Sequence, residues 1–469
     1  MTRVRGGSVF LAAALAIAAS GCTVGPNYKR PAINTPQSYR NDPSASTTSA
    51  SIASFGDEKW ADVLQDPQLQ KLIHTALSQN YDVRIAAARI AQAQAQLTIA
   101  RSAEYPGAAG LASVSRNRNA ASKFFGPFMA TTTELGLGLQ WDLDFWGKYR
   151  RATEAAQDQL LASDWAQKEV TSTLVANLAS AYFTLREQDL ELQISRQTLS
   201  SDQDSLKLTQ LLADHGLTSL LDVRQAEQLV YAASGLISPI QKRTAEQEDF
   251  ISTLIGENPE DVARGLDLTA QPHAPEVPAG LTSSLLERRP DIRQAEAQLM
   301  SANAQIGVAK AAYFPAITLT GSGGVQTIDL SKLFTAPSGT WNFAGQLTQP
   351  LFAGGSLKGN VRLAQAQEQQ AVLVYQQTIQ QAFRQVSDAL VAYTQDQDFR
   401  GQQELLTQSA QDANRLSDLR YRGGATSYLE VLDATTRYYA AELTLAQAQL
   451  NVMLDYVELY RALGGGWQQ

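Results

Sequence analysis

Few residues in this sequence could carry chemistry, and their spacing narrows what that chemistry is. The three histidines, His74, His215 and His273, stand in unrelated surroundings, so neither metal-ligand nor catalytic spacing emerges. The single cysteine, Cys22, excludes an intramolecular disulfide. Walker loop, dinucleotide fingerprint, nucleophile elbow and zincin helix are all missing. Gly321, Ser322, Gly323 and Gly324 lie inside a strand pattern with no following lysine, which argues against a phosphate site. No enzyme, metal or cofactor is therefore expected. What remains is a set of polar residues around two glycine turns: Asp214 at the first, and Tyr421, Arg422, Glu430 and Asp433 at the second. Glu430 and Asp433 are three apart and share a helical face. Ser427 with Glu430 matches a capping box, and Ser219 with Asp222 is its near copy. Glu430 thus has a structural explanation. Asp433 lies beyond the cap and has none.

The elements that position these residues occur twice. Gly216, Leu217, Thr218 and Ser219 align with Gly424, Ala425, Thr426 and Ser427. In each copy a glycine stops one helix and a Thr-Ser pair opens the next, predicting helical hairpins with tips at 213–219 and 421–427. Farther from the tips, Asp82-Val83-Arg84 aligns with Asp291-Ile292-Arg293, and Tyr105-Pro106 with Phe314-Pro315. The near-constant offset marks an internal duplication. The first repeat is 60–265, a Pro-rich connector is 266–280, and the second repeat is 281–469.

Strand-like sequence follows each proline. Leu135, Leu137, Leu139, Trp141 and Leu143 alternate strictly with Gly136, Gly138, Gln140 and Asp142. Phe343, Gly345, Leu347, Gln349 and Leu351 repeat the pattern more weakly. Hairpins are expected at about 107–143 and 316–352, with exposed aromatics Phe124, Phe125 and Phe334 in their loops. Strands of about ten residues cross a bilayer when tilted, yet the same alternation suits half of a soluble sandwich. Four strands close no barrel, so a membrane placement requires several copies. Eight strands from a dimer and twelve from a trimer both remain open.

The longest helical pattern lacks Pro and Gly from Lys148 to His215, and Leu178, Leu185, Leu192, Leu199 and Leu206 recur every seventh residue. At about 1.5 Å per residue such a helix is roughly 100 Å long. Near the N-terminus, Arg3 and Arg5 precede an apolar run, reading as a signal peptide over 1–21. Residues 22–59 begin Pro-, Ser- and Thr-rich without periodicity, which predicts an extended tether. A net charge of −8 argues against nucleic acid as partner.

Several segments together resemble a known family. They are Cys22-Thr23-Val24-Gly25-Pro26-Asn27-Tyr28, Arg288-Arg289-Pro290-Asp291-Ile292, Ala311-Ala312-Tyr313-Phe314-Pro315, Gln349-Pro350-Leu351-Phe352-Ala353-Gly354-Gly355 and Leu463-Gly464-Gly465-Gly466-Trp467. Over nearly its whole length the chain resembles the TolC-like outer membrane factors, in the lipoprotein branch serving resistance-nodulation-division efflux systems. Small residues before Cys22 also resemble a lipobox, which implies cleavage after residue 21 and a lipid on Cys22, with Thr23 pointing to the outer membrane. Ala19, where leucine is usual, departs from that pattern.

The resemblance implies a mostly α fold with a transmembrane β-barrel portion. Each subunit of a homotrimer gives four strands to a twelve-stranded barrel, continued by a periplasmic α-helical coiled-coil barrel. It further implies a passive duct for small molecules, fed by an inner-membrane pump through a periplasmic adaptor. The docking tips would be Gly216, Leu217, Thr218, Gly424, Ala425 and Thr426. Glu430 and Asp433 would form a carboxylate ring at the periplasmic aperture. Tyr421 matches a gate tyrosine, but the expected gate arginine is Thr426 here, so Arg422 with Asp214 is the substitute contact expected. A duct for protein secretion and a channel-free periplasmic scaffold are the alternatives.

Overall fold

The computed structural model describes residues 23–33, 35–36, 38–40, 54–120, 127–274, 277–280 and 282–468. The expectations for residues 1–21, Cys22, Phe124 and Phe125 lie outside the described residues. Short helices α1 (Trp60–Val63) and α2 (Pro67–Gln79) come first. The first repeat continues through α3 (Tyr81–Ser102), β1 (Gly107–Asn119), β2 (Phe128–Leu143), α4 (Lys148–Asp214) and α5 (Leu220–Ile255). After α6 (Thr282–Arg288), the second repeats that order as α7 (Pro290–Ala311), β3 (Ala316–Thr327), β4 (Gly339–Thr348), α8 (Ser356–Arg422) and α9 (Tyr428–Ala462). Both α4 and α8 are 67 residues long. The described residues fall into two compact units.

One unit holds residues up to 32, 89–164 and 294–376. Its four strands form one antiparallel sheet in the order β1-β2-β3-β4, with β2 and β3 joining the repeats. Residues paired across an antiparallel ladder project to the same side, so the register sorts the side chains by face. Leu135, Leu137, Leu139, Trp141 and Leu143 share one face with Ile317, Leu319 and Val325, and with Trp341, Phe343 and Leu347. The other face carries Ser113, Ser115, Glu134, Gln140, Asp142, Thr318, Thr320, Ser322, Asn342 and Gln346. The apolar face is bare: Leu137 is 66%, Phe343 70% and Trp341 82% exposed. A soluble sandwich would cover that face with a second sheet, and the described residues form only this one.

The base of the sheet is fixed by the Phe314-Pro315 motif. Trp146 stacks on Phe314 at 4.7 Å and donates from Nε1 to the Pro315 carbonyl at 2.9 Å. The extended segment after Cys22 is pinned along its first residues. Val24 N–H donates to the Trp146 carbonyl at 3.1 Å, and Arg151 Nη2 donates to Asn27 Oδ1 at 2.7 Å. Arg30 grips Glu296 bidentately at 2.6 and 2.8 Å, and the Tyr28 hydroxyl joins at 3.1 Å. These fixed partners supply what its composition could not.

The other unit holds 33–88, 165–293 and residues from 377 onward. The heptad seam is unevenly covered: Leu178 and Leu185 are fully buried, whereas Leu192, Leu199 and Leu206 are half-buried. Asp66 caps α2 through the Gln68 and Leu69 N–H groups, and also accepts from Tyr182 Oη, Leu266 N–H and Gln271 Nε2. Burial pushes its carboxyl up, but these hydrogen bonds outweigh that and hold it below its usual value. The Arg288-Arg289 pair ends α9. Arg289 Nη1 donates to the Ala462 carbonyl at 2.9 Å and Arg288 Nη1 to that of Leu463 at 3.4 Å, while both are paired with aspartates. Cations at a helix C-terminus satisfy carbonyls that have no partner within the helix.

Candidate functional site

Both tips end the incoming helix with the same cap. Gly216 has φ +72°; its N–H donates to the Ala213 carbonyl, and the Leu217 N–H to that of Leu212, each at 2.9 Å. Gly424 has φ +70°; its N–H donates to the Tyr421 carbonyl, and the Ala425 N–H to that of Arg420, again at 2.9 Å. This crossed pair is the Schellman motif, whose left-handed residue favours glycine.

The outgoing helices start differently. Ser219 Oγ accepts from the Asp222 N–H at 3.3 Å, and Asp222 Oδ2 accepts from the Ser219 N–H at 3.1 Å. That is a complete capping box. Asp222 also accepts from the Thr218 hydroxyl, and these bonds outweigh burial to hold its carboxyl below its usual value. At the second tip Ser427 makes no side-chain cap bond. Glu430 turns instead to Arg420 Nη1 at 2.7 Å and to the Thr426 hydroxyl. The capping box expected of Ser427 and Glu430 is therefore not formed. Glu430 ties the last turn of α8 to the first turn of α9. The expectation that Asp433 lacks a local account is also corrected, because it pairs with Arg437 Nε at 2.8 Å on its own helix.

Tyr421 is buried rather than presented. It meets the Tyr428 ring at 5.2 Å in a cluster with Val431 and Ala226, flanked by Leu206, Leu212 and Leu432. Its hydroxyl is buried without a hydrogen-bond partner. Within the chain Arg422 Nε pairs with Asp418 at 2.7 Å, not with Asp214, which makes no ion pair among the described residues. The first tip projects apolar side chains: Leu217 is 74% exposed, and Leu220 and Leu221 are exposed beside it. His215 closes onto the Leu211 carbonyl at 2.8 Å as a turn residue. Among the described residues no group of three or more metal-ligating side chains converges.

Sequence patterning missed Arg420, Asp418, Ser205 and Tyr428. Arg420 and Glu430 are ten residues apart, outside any helical period. Only the folded turn lays them side by side, although an opposite-charge pair flanking a Gly-Gly turn is a usable signal.

The sequence profile of the outer membrane efflux protein family matches residues 72–257 and 281–465, once for each repeat. The chain belongs to that family. It is 36% identical over 473 residues to the probable efflux pump outer membrane protein TtgC of Pseudomonas putida, covering 98% of this chain and 96% of that protein. It is 34% identical over 454 residues to the cation efflux system protein CusC of Escherichia coli, covering 96% and 98%. The outer-membrane channel OprN superposes with TM-score 0.88 at 29% identity, covering 96% of this chain and all of that one. The MtrE outer membrane channel of Neisseria gonorrhoeae gives 0.87 at 33% identity, covering 95% and 99%. This outer membrane efflux protein is thus a transport component of the outer membrane, mostly helical and internally duplicated, as its motifs implied. Among the described residues no helix is long and apolar enough to cross a membrane.

Proposed function

We propose that three copies of this outer membrane efflux protein form one passive export duct. The observation that carries this is the sheet. It has one apolar face, one polar face, and free edges at β1 and β4. An edge left open in lipid strands its N–H and C=O groups, so β1 of one copy pairs with β4 of the next. Three copies supply twelve strands, with apolar side chains toward lipid and polar ones lining the lumen.

Exposed apolar residues elsewhere support further copies as neighbours. Leu405, Leu406, Leu416 and Leu419 on α8 are all more than half or about half exposed, whereas Val386, Leu390 and Tyr393 on the same helix are buried. The helices continue the duct as a periplasmic α-barrel. Small molecules enter from an inner-membrane pump through an adaptor seated on the tips, where Leu217, Leu220 and Leu221 give an apolar footing. Glu430 and Asp433 repeat around the aperture as carboxylate rings that attract cations. Arg422 and Asp214 meet between neighbouring copies when the aperture is closed.

A lipid on Cys22 fits the geometry of the next residue. Thr23 packs so closely on Gly147 that a β-carbon there would lie 2.8 Å from the threonine methyl. Gly147 follows the end of β2, so Thr23, the residue after the proposed lipid site, lies at the helix end of the sheet. The protein needs no other bound group. Planar-bilayer conductance of the purified full-length protein tests the duct: steps of current are expected, larger in Asp433→Ala. Silence from both proteins would sink it.

A further inference from the structure

The apolar face of the sheet carries two charges that no described residue neutralises. The pairs Arg116↔Thr131 and Arg118↔Met129 place both arginines on the same face as Leu135, Leu137 and Leu139. Both are exposed. Arg116 Nη2 touches the Met129 sulfur at 3.7 Å, and neither arginine makes an ion pair among the described residues. Glu134 and Asp142, the acids on the strands of this hairpin, pair with Ser113 and Thr318 and project from the opposite face.

Their height follows from the strand. β1 begins at Gly107, just after α3, and ends at Asn119, so Arg116 and Arg118 lie at the end remote from the helices. The uninterrupted apolar column of β2 runs from Leu135 to Leu143; Thr133 follows it on that face, and Thr131 and Met129 stand at the level of the arginines. A guanidinium on the lipid side is costly at the bilayer midplane and nearly free at the interface. An anion there turns that tolerance into attraction. Two residues along a strand is about 6.6 Å, so two planar donor forks stand side by side, each able to clamp phosphate oxygens bidentately.

We propose that Arg116 and Arg118 bind the phosphorylated headgroup of an outer-leaflet glycolipid, and so ring the extracellular rim of the duct with held lipid. This rests on the outward placement of the apolar face argued above. The acyl chains then lie along Leu135, Leu137 and Leu139, below a headgroup fixed by the arginines.

Thermal unfolding of the full-length protein in detergent tests this with three additives: lipopolysaccharide, the same lipid stripped of its phosphates, and inorganic phosphate. Lipopolysaccharide is expected to raise Tm by several degrees, and the other two to leave it unchanged. The shift is expected to vanish in R116Q/R118Q and to persist in R116K/R118K. An equal shift from stripped lipid or from inorganic phosphate, or an undiminished one in R116Q/R118Q, overturns the lipid site. The first comparison uses the wild type, so it decides even where the double variant fails to assemble. Conductance of the same preparation separates the two readings. A conducting protein without a phosphate-dependent shift removes only the lipid site, whereas a silent one removes the barrel beneath it.

Discussion

The Tyr428 hydroxyl on α9 lies 3.2 Å from Ser205 Oγ on α4, and three turns along α9 the Tyr439 hydroxyl lies 2.8 Å from Ser195 Oγ. These two bonds seam the second hairpin to the first above the tip cluster of Tyr421, Tyr428 and Val431. Burial, foremost, raises the Tyr428 hydroxyl pKa, so it stays protonated, and either hydroxyl can donate to the other. Tyr428→Phe loses one hydrogen bond, about 1 kcal/mol. Tyr428→Ala also empties a fully buried site, costing about 3–5 kcal/mol. Loosening this seam should free the second tip and, in the proposed duct, open the aperture. Cells expressing Tyr428→Ala are expected to become more sensitive to vancomycin, with Tyr428→Phe near wild type. Equal sensitivity in both variants would dissociate the seam from closure.

Glu430 and Asp433 can be separated from stability because their partners are exposed. Arg420 and Arg437 are 57% and 76% exposed, and such surface pairs contribute about 0.2–1 kcal/mol. Glu430→Gln and Asp433→Asn should therefore leave Tm within a degree or two of wild type. If they ring the aperture as proposed, the double variant should lose most cation preference. Reversal potentials across a potassium chloride gradient check this, and an unchanged preference would return both carboxylates to local ion pairing alone.

Glu187 makes stability depend on pH. It is buried on α4, and burial pushes its carboxyl up to about 7, with Glu191 adding to the rise and Arg243 opposing it. The folded state thus holds this proton more tightly than the unfolded chain. Its stabilising contribution is full below the ordinary glutamate range and is lost as pH climbs from about 4 through about 7. At pH 8 a buried charge remains to be removed. Glu187→Gln should then raise stability by on the order of 2–3 kcal/mol at pH 8 and change little at pH 4. Thermal melts at the two pH values give the comparison, and equal effects at both would show that packing dominates.

Much of this architecture is legible because its signals are local. Pro106 and Pro315 mark where helices give way to strands, and Gly216 and Gly424 mark the tips to within a residue. Period-two alternation in Leu135–Leu143 marks the apolar face from β2 alone. Other features need the fold. The matching starts Asp82-Val83-Arg84 and Asp291-Ile292-Arg293 look equivalent, yet Ala88 and Ala95 on α3 are exposed while their counterparts Ala297 and Ala304 on α7 are buried. The duplication sets the elements, and the neighbours of each copy set burial. The Glu430–Arg420 contact exists only once the turn closes, whereas Asp433–Arg437 is an i,i+4 pair that helical spacing already offers.

The N-terminal strap draws its order from the residues it lies against, since the composition of the segment predicts only an extended tether. Gly25 sits at φ +113° against Gly307, and a β-carbon on Gly25 would lie 2.5 Å from the Gly307 α-carbon. A β-carbon on Gly307 would in turn meet the Val24 carbonyl oxygen at 2.8 Å and Arg151 Cγ at 2.9 Å. Backbone blocks both positions, so the strap must lift, and Arg151, holding Asn27, must move with it. Gly25→Ala adds the strain of a left-handed backbone, whereas Gly307→Ala is helical and even gains propensity. Gly307→Ala therefore isolates the steric effect. Limited proteolysis should cut the N-terminal segment of Gly307→Ala markedly faster than that of wild type, while the helical hairpins keep their resistance. An unchanged cleavage rate would mean that the Arg30–Glu296 pair and the Val24–Trp146 bond hold the strap without the glycine contact.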